Sequence, residues 1–154
     1  FCNFYASADI FFSGQYLNIM RRCEHMRTTR IYRSDIIHKE LSYILFGILF
    51  KVHDALGRYA REKQYSDLVE KYLKEMSIPY EREKQLSAAE IDKNKADFVI
   101  DNKIILDVKA VPLTGREEYY QLLRYLGAAH LKLGVLVNFR QKYLRPKRIL
   151  NSNV

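Results

Sequence analysis

The chain reads as an α/β domain: a mixed central sheet of about four strands flanked by helices. Three observations carry that expectation. Two segments near the start repeat apolar residues at helical spacing, a hairpin pattern follows at residues 96–111, and a nearly all-apolar run at 133–139 comes directly after a third helical pattern. Strands alternating with helices suit a sheet covered on both faces.

The first helix is expected from Ser34, a candidate cap, through Ile37, Leu41, Ile44, Leu45, Ile48, Val52 and Leu56 to Gly57. The second carries Tyr65, Leu68, Val69, Tyr72, Leu73 and Met76, and Ile78–Pro79 ends it. "YEREKQL", Tyr80 to Leu86, alternates like an edge strand, and a polar loop runs on through Lys95. Two hairpin strands come next. Pro112 then precedes a capping box, Thr114 to Glu117, that opens a helix bearing Tyr119, Leu122, Leu123, Leu126 and Ala129. Finally "LGVLVNF", Leu133 to Phe139, has the look of a strand buried on both faces after a helical crossover. The expected order is α-α-β-β-β-α-β.

With 154 residues the chain has room for one domain with a core of its own. Residues 1–29 announce no element and read as a leader that need not be native, with Met26 a candidate start; residues 30–154 form the domain. The longest uncharged apolar run, "LSYILFGILF", has ten residues, about half of what crosses a bilayer. No basic head precedes the first apolar stretch, so a secretory signal is not expected and a cytoplasmic location is. Cys2 and Cys23 have no metal-ligand companions at short spacing.

The formal charge is +8, and "RQKYLRPKR" concentrates Arg140, Lys142, Arg145, Lys147 and Arg148 around Tyr143 with no acid. Such a strip can neutralise phosphates and offer an aromatic face to a base, although a solvated basic tail has the same composition.

The hairpin "ADFVIDNKIILDVKAV" sets Asp97, Asp107 and Lys109 among residues that otherwise read as core. If its loop is Asp101–Asn102–Lys103, Ile100 opposes Ile104 and, counting outwards, Asp97 opposes Asp107, with Lys109 on the same face. A loop of two residues would send the aspartates to opposite faces, so register decides the matter. Opposed carboxylates beside apolar neighbours call for a compensating cation, and Mg²⁺, or Mn²⁺, suits hard oxygen ligands. Lys109 would then hold or deprotonate a water, or offset phosphate charge. An ordinary Asp/Lys ion pair at a sheet surface is the competing interpretation. Glu62 shares a helix face with Tyr65 and Val69 and could reach the same metal, or pair with Arg58 or Arg61; Gln121 and Tyr125 lie four apart on the third helix.

These residues, with "GILFKVHDALG", "REKQYSDLVEKYLKEMSIPYERE", "QLLRYLGAAHLKLGVLVNF" and "KRILN", resemble the GxxExxY protein family within the PD-(D/E)XK nuclease superfamily, from about Ile31 to Asn151. The resemblance implies a restriction-endonuclease-like core and Mg²⁺-dependent hydrolysis of nucleic-acid phosphodiesters, DNA favoured over RNA. It assigns Glu62, Asp97 and Asp107 to the metal, Lys109 to the water, and Tyr65, Gln121 and Tyr125 to support. Three departures stand out: Tyr59 occupies the position of the family's glycine, Lys51 that of a glutamate common in relatives, and "SAAEIDKNK" is short for the hairpin found there. An inactive nucleic-acid-binding module of the same fold and a protein-interaction subunit, suggested by the twelve tyrosines, are the alternatives.

Overall fold

The computed structural model describes residues 36–86 and 95–152. The leader, Ser34 and most of the polar loop before Lys95 lie outside the described residues. Among those described, three helices and five strands alternate: α1 Lys39–Leu56, α2 Glu62–Glu75, β1 Tyr80–Gln85, β2 Lys95–Ile100, β3 Ile104–Lys109, α3 Arg116–Ala129, β4 Leu133–Asn138 and β5 Lys147–Leu150. The strands form one sheet in sequence order; β3 and β4 run parallel and every other neighbouring pair is antiparallel.

Helical spacing decides which side chains enter the core. Leu45, Ile48, Leu49 and Val52 of α1 and Tyr65, Val69 and Leu73 of α2 pack on one sheet face, against Phe98, Leu106, Val108, Val135 and their neighbours. The other face, with Val99, Ile105, Leu136 and Ile149, is covered by Leu122, Tyr125 and Leu126 of α3. Each fully buried Leu or Ile contributes about 1.5–3 kcal/mol over an exposed one, so these two layers supply the main stabilisation. Gly134 of β4 permits the close approach of α3, because a Cβ there would lie 2.9 Å from Leu122. No described helix is long and apolar enough to cross a membrane.

The hairpin has the expected three-residue loop. Asp101 and Asn102 both adopt left-handed φ values near 50°, which these residue types tolerate, and the Lys103 amide donates to the Ile100 carbonyl at 2.9 Å. Ile100 therefore faces Ile104.

Four details differ from the sequence expectation. The first helix begins at Lys39, after His38 in the left-handed region. The second begins at Glu62, three residues before the first apolar repeat, because the Arg61 amide donates to the Gln64 side chain at 2.9 Å and closes the first turn. The third is capped one residue later than the sequence suggests: the Gly115 amide donates to Glu118 Oε2 at 2.7 Å, not Thr114 to Glu117. A fifth strand, β5, lies inside the stretch read as basic strip; only Ile149 of its four residues is buried, too little apolar signal to announce a strand.

Candidate active site

The two parallel strands β3 and β4 pair from Ile104–Leu133 out to Lys109–Asn138, and the residues around them are buried on both faces. A carboxylate at Asp107 is consequently taken out of water along with the apolar residues beside it. Asp107 is only 2 % exposed. Lys109 Nζ donates to its Oδ1 at 3.0 Å, and Oδ2 is buried with no hydrogen-bond partner.

Asp97 arrives from β2 by an irregular route. The β2–β3 ladder ends at Phe98–Leu106, one step short of Asp97 and Asp107. On the other side the β1–β2 register passes over Glu83, whose φ is 54°, and Ala96 joins the same cluster as Val99, contrary to strict alternation. The strand is thus distorted at Asp97, and its Oδ2 turns to accept the Val108 amide at 2.7 Å. A side chain takes the donor that another backbone carbonyl would take in a regular ladder.

Glu62 comes from the first turn of α2 and is exposed; its Oε2 accepts the Ala110 amide at 3.3 Å, just past the end of β3. Tyr65 explains how that helix start is fixed. Its hydroxyl donates to the Gly57 carbonyl at 2.8 Å and accepts the Ala60 amide at 3.1 Å, while its ring stacks on Phe139 at 4.3 Å. Gly57, at φ 66°, caps α1 by donating its amide to the His53 carbonyl. Tyr65 therefore fastens the α1–α2 turn from the core while Glu62 projects outward.

The three charged groups at the end of β3 share one field. Burial pushes the Asp107 carboxyl up to about 6, with the neighbouring Asp97 and Glu62 charges adding to the rise and Lys109 opposing it. Asp97 is raised too, by burial, against the Val108 amide and Lys109. For Lys109 burial acts against the ammonium, but Asp107, Asp97 and Glu62 outweigh it and its pKa is raised.

Gln121 and Tyr125 satisfy each other, the amide donating to the phenol oxygen at 2.5 Å, and Tyr125 is part of the apolar layer under α3. Neither bonds to Asp97, Asp107 or Lys109. The basic strip divides. Arg140, Lys142, Arg145 and Lys147 are exposed. Arg148 stands apart from the other four: its guanidinium donates to Ser42 Oγ at 2.5 Å and to the Ile37 carbonyl at 2.6 Å, tying β5 to the start of α1, and burial lowers its pKa.

Asn138 is a residue the sequence reading missed. It is 3 % exposed, opposite Lys109 in register; it donates to the Val111 carbonyl at 2.8 Å and accepts the Arg140 amide at 3.1 Å. The signal was available, since an amide at the end of an otherwise apolar run must be hydrogen-bonded when buried. It fixes the chain leaving both strands.

The family-wide profile of the PD-(D/E)XK nuclease superfamily matches residues 39–149. The chain belongs to this superfamily. No curated protein and no solved structure matches it. The matched region runs from α1 into β5 and so spans the strands that carry Asp97 and the Asp107–Lys109 pair. Nucleases of this superfamily typically use Mg²⁺ or Mn²⁺. The buried Asp107, with one unpartnered oxygen, and the half-buried Asp97 offer the hard oxygen donors such an ion takes. Among the described residues no three acidic, His or Cys side chains are gathered closely enough to hold an ion by themselves.

Proposed function

We propose that this protein is a Mg²⁺-dependent nuclease that hydrolyses nucleic-acid phosphodiester bonds, with DNA the favoured substrate. The observation that carries the proposal is the buried Asp107 carboxylate, paired to Lys109 through one oxygen and bare at the other, in a chain of this superfamily. The narrower likeness to GxxExxY proteins adds Glu62 and Tyr65 to the same reading.

Asp107 and Asp97 would hold the ion, with Glu62 as a further ligand. When bound, Mg²⁺ supplies charge to the phosphate and acidity to a coordinated water. The residues of the chain do the rest. Lys109, held against Asp107 Oδ1, donates as an ammonium to the attacking water or to a phosphate oxygen, and as the neutral amine it would take the water's proton. The Val108 amide holds one oxygen of Asp97 and so orients the other. Exposed Arg140 and Lys142 supply backbone charge neutralisation.

The looseness of the acidic set also favours a second reading, a binding module of the same fold without turnover. Labelled single- and double-stranded DNA and RNA, incubated with Mg²⁺ or Mn²⁺ against EDTA, separate the two. Metal-dependent products that disappear in Asp107→Asn support the nuclease; salt-sensitive binding without products supports the module; products from both proteins would refute the assigned site.

A further inference from the structure

Tyr59 stands in the turn between α1 and α2 and is 70 % exposed. Its φ is not left-handed, so the backbone carries the bulky side chain without strain. Two guanidinium groups hold the ring. Arg58 hydrogen-bonds to its hydroxyl and lies 4.8 Å from its centroid, and Arg140, from the turn after β4, lies 5.5 Å away. Among the described residues neither arginine has a carboxylate partner. Their charge is therefore available to an anion while their flat faces steady the tyrosine.

The position of this group matters as much as its chemistry. Tyr59 is three residues ahead of Glu62, whose carboxylate reaches Ala110. Arg140 is two residues past Asn138, the register partner of Lys109, and its amide donates to that asparagine. The ring and both cations thus border the end of β3 where Asp107 and Lys109 lie.

We infer that Tyr59, Arg58 and Arg140 form a base-stacking platform that takes an unpaired nucleotide next to the cleaved bond, so that the protein acts on single-stranded nucleic acid or on frayed or overhanging ends. Inside a duplex both faces of a base are occupied by its neighbours; an exposed ring flanked by two cations is complementary to a splayed base and its phosphates. The inference rests on the nuclease reading for its location and on binding for its test.

The decisive experiment is fluorescence anisotropy in EDTA with a short single-stranded oligonucleotide, the same strand carrying abasic sites, and its blunt duplex. Wild type is expected to bind the abasic strand about tenfold more weakly than the intact one. Tyr59→Ala should lose a similar factor on the intact strand and nothing on the duplex, Tyr59→Phe should retain most of the affinity, and Arg140→Ala should weaken all three ligands. Equal affinity of wild type for intact and abasic strands overturns the platform without relying on any variant. So does an equal loss on strand and duplex in Tyr59→Ala, or a wild type that binds no strand. Parallel incubation in Mg²⁺ keeps the two ideas apart: binding with these signatures but no products sinks the nuclease reading alone, and products with an unaffected Tyr59→Ala sink the platform alone.

Discussion

At the C-terminal end of β3 its two faces are built on opposite principles. Leu106 and Val108 point into the layer under α1 and α2, fully buried among apolar partners. Asp107, between them in sequence, is just as buried and carries a charge, and Lys109 follows it. On the first face burial stabilises; on the second it opposes ionisation and raises a carboxyl to about 6. A strand that needed only to hold the sheet together would have no use for the second arrangement. Under the nuclease proposal, the contrast is stability given up for chemistry.

The largest expected effect comes from removing the charged face. Asp107→Asn or Lys109→Ala should reduce metal-dependent cleavage by about a hundredfold to a thousandfold, the scale of losing one well-placed electrostatic group. Steady-state rates on the best substrate of the panel measure it. Leu106→Ala should do the converse: it should cost about 2–5 kcal/mol of stability in denaturant titration and leave the folded fraction active. If both variants lose stability and activity in proportion, the division between the faces fails.

The next effect concerns pH and has a definite sign. The folded pKa of Asp107, about 6, lies above its ordinary value of 3.8, so the folded state binds more protons than the unfolded one between those values. Without metal, the contribution of Asp107 is fully favourable below pH 4 and is lost as pH rises through 6, a swing of about 3 kcal/mol at most. Relative to wild type, Asp107→Asn should therefore gain stability from pH 4 to pH 8 in EDTA. Mg²⁺ should raise the melting temperature of the wild type at pH 8 and leave that of Asp107→Asn unchanged. At subsaturating Mg²⁺, cleavage should fall as pH drops through about 6, because the proton on Asp107 then competes with the ion. A wild type whose metal-free stability rises over this interval faster than the variant's would reverse the assignment.

Much of this contrast could be read from the residues, and what escaped did so for identifiable reasons. Helical spacing in α1 and α2 and the apolar run of β4 follow from burial and are visible in one dimension. The hairpin register could be counted because Asp101 and Asn102 suit a tight turn. The distortion that turns Asp97 towards the Val108 amide could not, since it arises from neighbouring strands and leaves no local pattern. Nor could the bond between Gln121 and Tyr125, because residues four apart on a helix look alike whether they bond to each other or to a third group. The bonds of Arg148 escaped for the same reason: in sequence it is one more cation, and only the fold shows that its donors meet Ser42 and Ile37.

A smaller effect tests how the exposed Glu62 is positioned. Tyr65→Phe keeps the ring on Phe139 and removes only the hydroxyl that joins the Gly57 carbonyl to the Ala60 amide. A loss of about 1 kcal/mol in stability is expected, typical of one hydrogen bond, together with a drop in cleavage that Glu62→Gln does not deepen. Fully additive losses in the double variant would mean that Tyr65 serves the core and has no part in holding Glu62.

The last comparison separates two arginines eight residues apart. Arg148→Ala should destabilise the fold by about 1–3 kcal/mol, since it releases two bonds made by a partly buried cation, and should leave the salt dependence of nucleic-acid binding unchanged. Arg140→Ala should leave the melting temperature where it is and lower the slope of log affinity against log salt by about one. The slope is the more discriminating measurement, because it counts phosphate contacts directly while affinity at a single salt concentration mixes them with every other change. If Arg148→Ala lowers the slope, its guanidinium leaves Ser42 when the polymer binds, and the basic strip acts as the continuous surface that its sequence suggests.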